Sequence, residues 1–378
     1  MANESLSKAK DAKNDEFYTQ YHDIEREVEA YLEYNADVFR DKTVLLPCDD
    51  PEWSNFTRYF AQNFQRLGLR KLISTSYAYE SKRYKGPIQL TLFETEAPQY
   101  DASKTHSHGK IFVLERNDKQ RIDINDLQWK YLEGDGDFRS REVTRLRDEA
   151  DIIVTNPPFS LFREFMAWIM GAEKRFIIIG NQNAITYKEI FPLIKENKIW
   201  LGKGFKGGAT HFISNYQDYA TAGKHQEGMI RVSGVVWFTN LDHGRRHHPL
   251  LLMTMEDNLK YSKHKEIRGK EGYCHYDNYD AIEVPYTDAI PSDYEGIMGV
   301  PISFLDKYCP EQFEIMGMCE NEDLYKLKTK FYSKYECKQA YLDKFGKAGT
   351  YDLNASGVLI INNRKEKVYQ RILIRKRQ

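Results

Sequence analysis

Asp151-Ile-Ile-Val-Thr-Asn-Pro-Pro-Phe159 begins as an unbroken apolar run and ends in a stiff polar turn. Without alternation, Asp151 to Thr155 reads as a buried strand covered on both faces. Two successive prolines cannot continue it, and Leu161 to Met170 then sets Phe162, Phe165, Met166 and Ile169 on one side of a helix. Arg175 to Gly180 is the next buried strand. The same order stands upstream. Thr43-Val-Leu-Leu46 reads as a strand, Pro47-Cys-Asp-Asp-Pro51 as its terminating turn, and Ser54 to Leu67 as a helix closed by Gly68. Lys71 to Thr75 is a further strand, and Ile24, Val28, Tyr31 and Leu32 predict an earlier helix, with Thr19 as its cap. Strands alternating with helices imply a doubly wound, Rossmann-like α/β sheet whose ligands sit at the carboxyl ends of the strands. Ile88–Phe93 and Lys110–Leu114 read as a hairpin inserted into that sheet.

Beyond about residue 200 the alternation degrades, and isolated strands such as Val235–Thr239 and Val358–Ile361 predict an appended mixed α+β region. The expected division is therefore a catalytic domain over 1–202 and a second region over 203–378, interleaved with the last strands of the sheet. A length of 378 residues accommodates both. Lys and Arg number 55 against 56 Asp and Glu, which excludes a uniformly basic chain, so a polyanion must be met by local patches. Two are present: His243–Lys270 carries seven Lys/Arg against three Asp/Glu, and Ile360–Gln378 seven against one. Within them Arg245, Arg246, Lys263, Arg371 and Arg375 are candidate contacts to such a polyanion. The final strand, Val368 to Arg375, is expected to be anchored by Ile372, Leu373 and Ile374, with Arg375-Lys-Arg377 turned toward a phosphate backbone.

Competing chemistries find little support. The five cysteines are never in C-x-x-C spacing, and His243, His247 and His248 lack a carboxylate or Cys partner at metal-ligand spacing. No metal is expected, and the histidine run reads as a solvated basic loop. Gly202-Lys-Gly-Phe-Lys-Gly-Gly208 lacks the ending of a phosphate-binding loop and reads as flexible or DNA-facing. The polar start and the absence of a long apolar stretch predict a cytoplasmic protein with no membrane partner.

The turn at Asn156 carries the sharpest chemistry. Two prolines remove two backbone donors, so the Pro157 carbonyl and the Asn156 amide oxygen can be held outward as acceptors. An exocyclic amine has two hydrogens to give such a pair, and Phe159 offers a face to a base. The residue types alone fit equally a rigid proline turn with Phe159 in the core.

The tetrapeptide Asn156-Pro-Pro-Phe159 resembles the catalytic motif of amino-methylating DNA methyltransferases, and its surroundings resemble the adenine-specific EcoRI modification methylases. The supporting blocks are Asp15-Glu-Phe-Tyr-Thr-Gln20, Cys48-Asp-Asp-Pro51 with Ser54-Asn-Phe56, Gly134-Asp-Gly-Asp-Phe-Arg-Ser140, Ile194-Lys-Glu-Asn-Lys-Ile-Trp-Leu-Gly202, Tyr276-Asp-Asn-Tyr-Asp-Ala281 and Met298-Gly-Val-Pro-Ile302. The resemblance runs over nearly the whole chain. It implies a site-specific DNA adenine N6-methyltransferase that uses S-adenosylmethionine on an adenine extruded from double-stranded DNA, in a type II restriction-modification system with a cognate endonuclease. It also implies roles. Asn156, Pro157, Pro158 and Phe159 would be catalytic; Phe17, Tyr18 and Thr19, with Asp49, Ser54, Asn55 and Asn156, would hold the cofactor; Asp137 and Phe138 would read its adenine. The chain departs from the wider pattern twice. Pro47-Cys-Asp-Asp-Pro51 replaces a glycine-rich turn, and Ile73-Ser-Thr-Ser-Tyr77 has no acid for the ribose. Rival readings are a methyltransferase acting on RNA or protein, and a catalytically silent DNA-binding relative.

Overall fold

The computed structural model describes residues 19–78, 98–116, 128–205, 209–213 and 229–377. Its largest sheet is built from β1 (Thr43–Leu46), β2 (Lys71–Thr75), β3 (Lys110–Glu115), β4 (Lys130–Tyr131), β5 (Ile152–Thr155), β6 (Arg175–Asn181) and β7 (Trp200–Leu201). Beyond the separate ribbon of β8 (Ala209–Ile213) and β9 (Met229–Ser233), β10 (Val235–Thr239) completes it. The order is β4-β3-β2-β1-β5-β6-β10-β7. The inner run β2-β1-β5-β6 is parallel, and the outer strands β3, β4, β10 and β7 join antiparallel.

Burial explains the unbroken apolar runs. Val44 and Leu46 of β1 pack into a core with Ile24, Val28 and Tyr31 of α1 (Tyr21–Tyr34) and with Phe56, Tyr59 and Phe60 of α2 (Asn55–Gln62). Leu45, between them, points the other way, into a cluster with Ile73, Ala150 and Leu146 of α3 (Arg141–Glu149). Both faces of the strand are covered, so Val44, Leu45 and Leu46 are all apolar. Ser54 and Ser140 cap α2 and α3, their side chains accepting from Phe56 N and Val143 N. α4 (Phe162–Met170) follows β5 after a short 3-10 turn over Phe159–Leu161.

Several expectations change here. Thr19 does not cap α1: Gln20 holds that position without a side-chain capping bond, and Thr19 is buried instead. The strand expected at Ile88–Phe93 lies outside the described residues, and β3 is flanked by β2 and β4. Val235–Thr239, set in the second region by the sequence, joins the large sheet between β6 and β7 and pairs with both. The two compact units are accordingly Met1–Ile194 with Lys198–Gly244, and Lys195–Asn197 with Arg245–Gln378.

The second unit contains a four-stranded sheet in the order β11-β12-β16-β13, formed by β11 (Ala281–Glu283), β12 (Ile297–Pro301), β13 (Phe313–Met318) and the C-terminal β16 (Arg371–Lys376). Between β13 and β16 lie a helix, Lys334–Phe345, and a hairpin of β14 (Val358–Ile361) and β15 (Arg364–Lys367). As an inner strand, β16 buries Ile372, Leu373 and Ile374 on both faces. No helix among the described residues is long and apolar enough to cross a membrane.

Candidate active site

The carboxyl ends of β1, β2 and β5 converge on Asp49. Its backbone ties the first two strands together: Asp49 N donates to the Thr75 carbonyl at 2.9 Å, and the Ser74 hydroxyl donates to the Asp49 carbonyl at 2.6 Å. The side chain ties in the third. Ser54 Oγ donates to Asp49 Oδ1 and Thr155 Oγ1 to Asp49 Oδ2, each at 2.6 Å. The carboxyl is buried, and burial pushes it up to about 7; the Ser54 and Thr155 hydroxyls pull it down, and Asp50 adds to the upward push. Among the described residues, only hydroxyls hold this acid. A protein that buries an acid without a cation favours its neutral form until a positive group arrives.

Thr155 leads directly to the turn. Asn156 donates from Nδ2 to Thr19 Oγ1 at 3.5 Å, and Asn55 donates from Nδ2 to the Thr19 carbonyl at 2.9 Å. With its nitrogen aimed at Thr19, the opposite end of the Asn156 amide is the acceptor. Pro157 is buried, while Phe159 is half-buried and packs against the core that contains Phe56 and Trp237. Thr19, Asp49, Ser54, Asn55 and Asn156 are thus brought together. Phe17 and Tyr18 lie outside the described residues.

A second arm comes from Gly134–Ser140. Gly136 has φ of 79°, and a Cβ there would collide with the Ser76 carbonyl, so only glycine lets this turn cross the end of β2. Asp137 follows. Its Oδ1 accepts from Arg139 N at 2.8 Å and Arg139 Nε at 2.9 Å, and its Oδ2 accepts from Arg139 Nη2 at 2.7 Å. Its partial burial pushes the carboxyl up, but bonds from Arg139 outweigh that and hold it below the usual range. Of roughly four acceptor positions on a carboxylate, three are used. Phe138 differs from expectation: it is buried edge-on between Phe165 and Trp168, with centroids 5.0 and 5.6 Å away, because a large apolar ring gains more in that cluster than at an open face.

The hydroxyls of Ser74 and Thr155 were missed by sequence reasoning. Their signal is the polar ending of otherwise apolar buried strands. Missed too was Glu27, a buried acid of α1 that accepts from the amides of Lys203 and Gly204, each at 3.0 Å, and from the Tyr31 hydroxyl at 2.7 Å. With Phe205 stacked on Trp237 at 5.4 Å, the start of the glycine-rich segment is fixed rather than flexible; 206–208 lie outside the described residues.

The candidate DNA contacts separate into two kinds. Arg371 is buried and donates to Glu283 from Nη2 at 2.6 Å and from Nε at 3.0 Å, so it is a structural ion pair and not a phosphate ligand. Arg246 is also buried, donating to Asn197, and His243 is buried with Nε2 3.0 Å from the Leu201 carbonyl; neither belongs to a solvated loop. Each sits where its polar atoms meet a partner that a solvated loop would not supply. Arg245 is exposed, Lys263 pairs with Asp288 at 2.7 Å and Arg375 with Glu314 at 3.0 Å, all at the surface. The last cations also reach back to the protein: Lys376 donates to the Ser292 carbonyl at 2.6 Å and Arg377 to the Pro310 carbonyl at 2.7 Å. Among the described residues no cluster of His, Cys, Asp and Glu could hold a metal ion.

A family model described as adenine-specific methyltransferase EcoRI matches residues 5–377. The type II methyltransferase M.EcoRI of Escherichia coli is 43% identical over 326 residues, 85% of this chain and 91% of its own. The type II methyltransferase M.MgeORF184P of Mycoplasma genitalium is 32% identical over 99% of both chains. M.MpnI of Mycoplasma pneumoniae, another type II methyltransferase, is 33% identical over 84% of this chain and 86% of its own. No solved structure matches the chain significantly.

Proposed function

Because the chain belongs to the adenine-specific EcoRI methyltransferase family, which methylates adenine in DNA within restriction-modification systems, we propose that the ends of β1, β2 and β5 hold S-adenosylmethionine beside an extruded adenine. The observation that carries this reading is the junction of Asp49, Thr155 and Asn156, where a buried acid held by hydroxyls adjoins an oriented amide on a proline-stiffened turn. When bound, the cofactor supplies an activated methyl on a positively charged sulfonium. The donor set suits it. Asp49 is an acid whose ionised form a nearby positive charge would favour, and Asp137 keeps one acceptor position on Oδ2 for an amino group. The inner parallel order β2-β1-β5-β6 supports a Rossmann-like arrangement, which puts ligands at these strand ends.

Asn156 Oδ1 and the Pro157 carbonyl accept the two hydrogens of the target amine, which turns its lone pair toward the methyl and stabilises the positive charge growing on nitrogen. The exposed part of Phe159 takes the face of the base. Extrusion is required because a paired, stacked amine cannot be approached in line, and unstacking costs a few kcal/mol that contacts to the duplex offset. The partner in the cell would be an endonuclease that cuts the same site when it is unmodified.

The test is methyl transfer from labelled S-adenosylmethionine to duplex DNA, RNA and total protein, with digestion of the labelled product. N6-methyladenine in DNA alone is expected; label in RNA or protein, or on cytosine, would overturn the reading.

A further inference from the structure

The hairpin β14–β15 is anchored at its base and bare at its tip. Val358 belongs to a small core with Tyr332, Cys337, Ala340 and Leu353, while its neighbour Leu359 enters another with Tyr276 and Leu373. Buried Asn278 fixes the entry, accepting from Val358 N and donating to the Ser356 carbonyl, both at 2.9 Å. Two ion pairs hold the returning strand: Lys365 to Glu336 at 3.1 Å and Glu366 to Lys344 at 3.2 Å. The base is therefore rigid.

Beyond Leu359 every residue to Arg364 is exposed. The two-residue loop Asn362-Asn363 has φ of 50° and 61°, the left-handed pair of a tight hairpin turn, which Asn tolerates better than other side-chain-bearing residues. Conformation alone would favour Asn-Gly there. Ile360 and Ile361 are 50% and 40% exposed although a solvated ribbon gains nothing from them. Arg364, paired in register with Ile361, has no ionic partner among the described residues, unlike Lys365 and Glu366 beside it. The projecting part spans roughly 10 Å at ~3.4 Å per residue. A two-stranded ribbon fits the major groove, and the tip chemistry matches what that groove displays: Asn amides pair with adenine, Arg with guanine, and an apolar side chain meets the thymine methyl.

We propose that the tip Ile361-Asn362-Asn363-Arg364 enters the major groove of duplex DNA and reads part of the target sequence. This rests on the DNA-methylation reading and adds to it the element that specifies bases. Exposed Lys347, in the loop after the helix Lys334–Phe345 that neighbours β15, adds positive charge of the kind a phosphate backbone requires.

The experiment maps methylated adenines over a random-sequence duplex library for the parent, for Asn362→Gly with Asn363→Gly, and for Arg364→Lys. Glycine keeps the left-handed turn and deletes the amides. The expected result is relaxed preference at one or two base positions, discrimination there falling roughly tenfold or more, with S-adenosylmethionine affinity unchanged. Arg364→Lys leaves the turn intact and decides alone should the double variant lose cofactor binding. An unaltered motif overturns the proposal. So does uniform weakening on all sequences, which marks a phosphate contact only. A parent that methylates RNA or protein but not DNA contradicts the DNA-methylation reading itself, and the hairpin's role with it.

Discussion

Each unit buries a carboxylate at the end of a strand and satisfies it in a different way. Asp49, after β1, is held by the hydroxyls of Ser54 and Thr155 and, among the described residues, by no cation. Glu283, at the end of β11, accepts from both Nε and Nη2 of Arg371 and from the Tyr276 hydroxyl. The second arrangement is self-neutralised and closed. The first keeps an uncompensated acid whose ionisation waits on something positive. The contrast teaches that burial of charge marks a ligand site only where the protein withholds the counter-charge.

Removing the counter-charge of the closed site should have the largest effect. Arg371→Ala leaves Glu283 buried and unpaired, and denaturant unfolding should show a loss of ~3–5 kcal/mol. A change below ~1 kcal/mol would mean that Glu283 reaches water or takes up a proton at little cost, and the contrast with Asp49 would fail.

The open site should respond to pH instead. The Asp49 carboxyl is raised from 3.8 to about 7, so the folded state favours its proton. Its contribution to stability is fully present below the unfolded value and is lost as pH rises through about 7. A cationic ligand selects the ionised form, so affinity for S-adenosylmethionine should rise roughly tenfold between about pH 6 and pH 8, while the uncharged thioether product shows a flatter profile. Asp49→Asn should remove the difference between the two ligands. Calorimetric titration of both across that range checks it; equal slopes in the parent would detach Asp49 from the cofactor.

The smallest effect belongs to the surface. Arg375 pairs with Glu314 in the open, so Arg375→Ala should change stability by under ~1 kcal/mol. DNA binding measured at several salt concentrations then sorts its role: an unchanged slope fits the pairing, whereas a slope smaller by roughly 0.9 shows the pair opening to a phosphate.

These cases also show what a sequence reveals. β1 and β2 match the expected bounds, and β5 and β6 differ by one residue, because an unbroken apolar run between turn signals has few other interpretations. The Asn156 turn was legible for the same local reason. Arg371 was not: its partner Glu283 lies 88 positions away, and in sequence a buried arginine looks like any exposed one. His243 and Arg246 were misread alike, since a run of cations gives no sign of which members find a carbonyl or an amide. Phe138 stood next to Asp137 in a motif, yet packing with Phe165 and Trp168 decided its place. Thr155 and Ser74 were overlooked because hydroxyls at strand ends are common, and only convergence on Asp49 gives them a role.

The most direct test of the account is Asn156→Ala, read in two assays on one preparation. Removal of the amide takes away one acceptor of the target amine and leaves Asp49 with its hydroxyls. Methyl transfer to DNA should fall ~100-fold or more while S-adenosylmethionine affinity stays within about threefold. Transfer within tenfold of the parent would contradict the assignment of the target amine to this turn, and an equal collapse of cofactor affinity would recast Asn156 as part of the cofactor site alone.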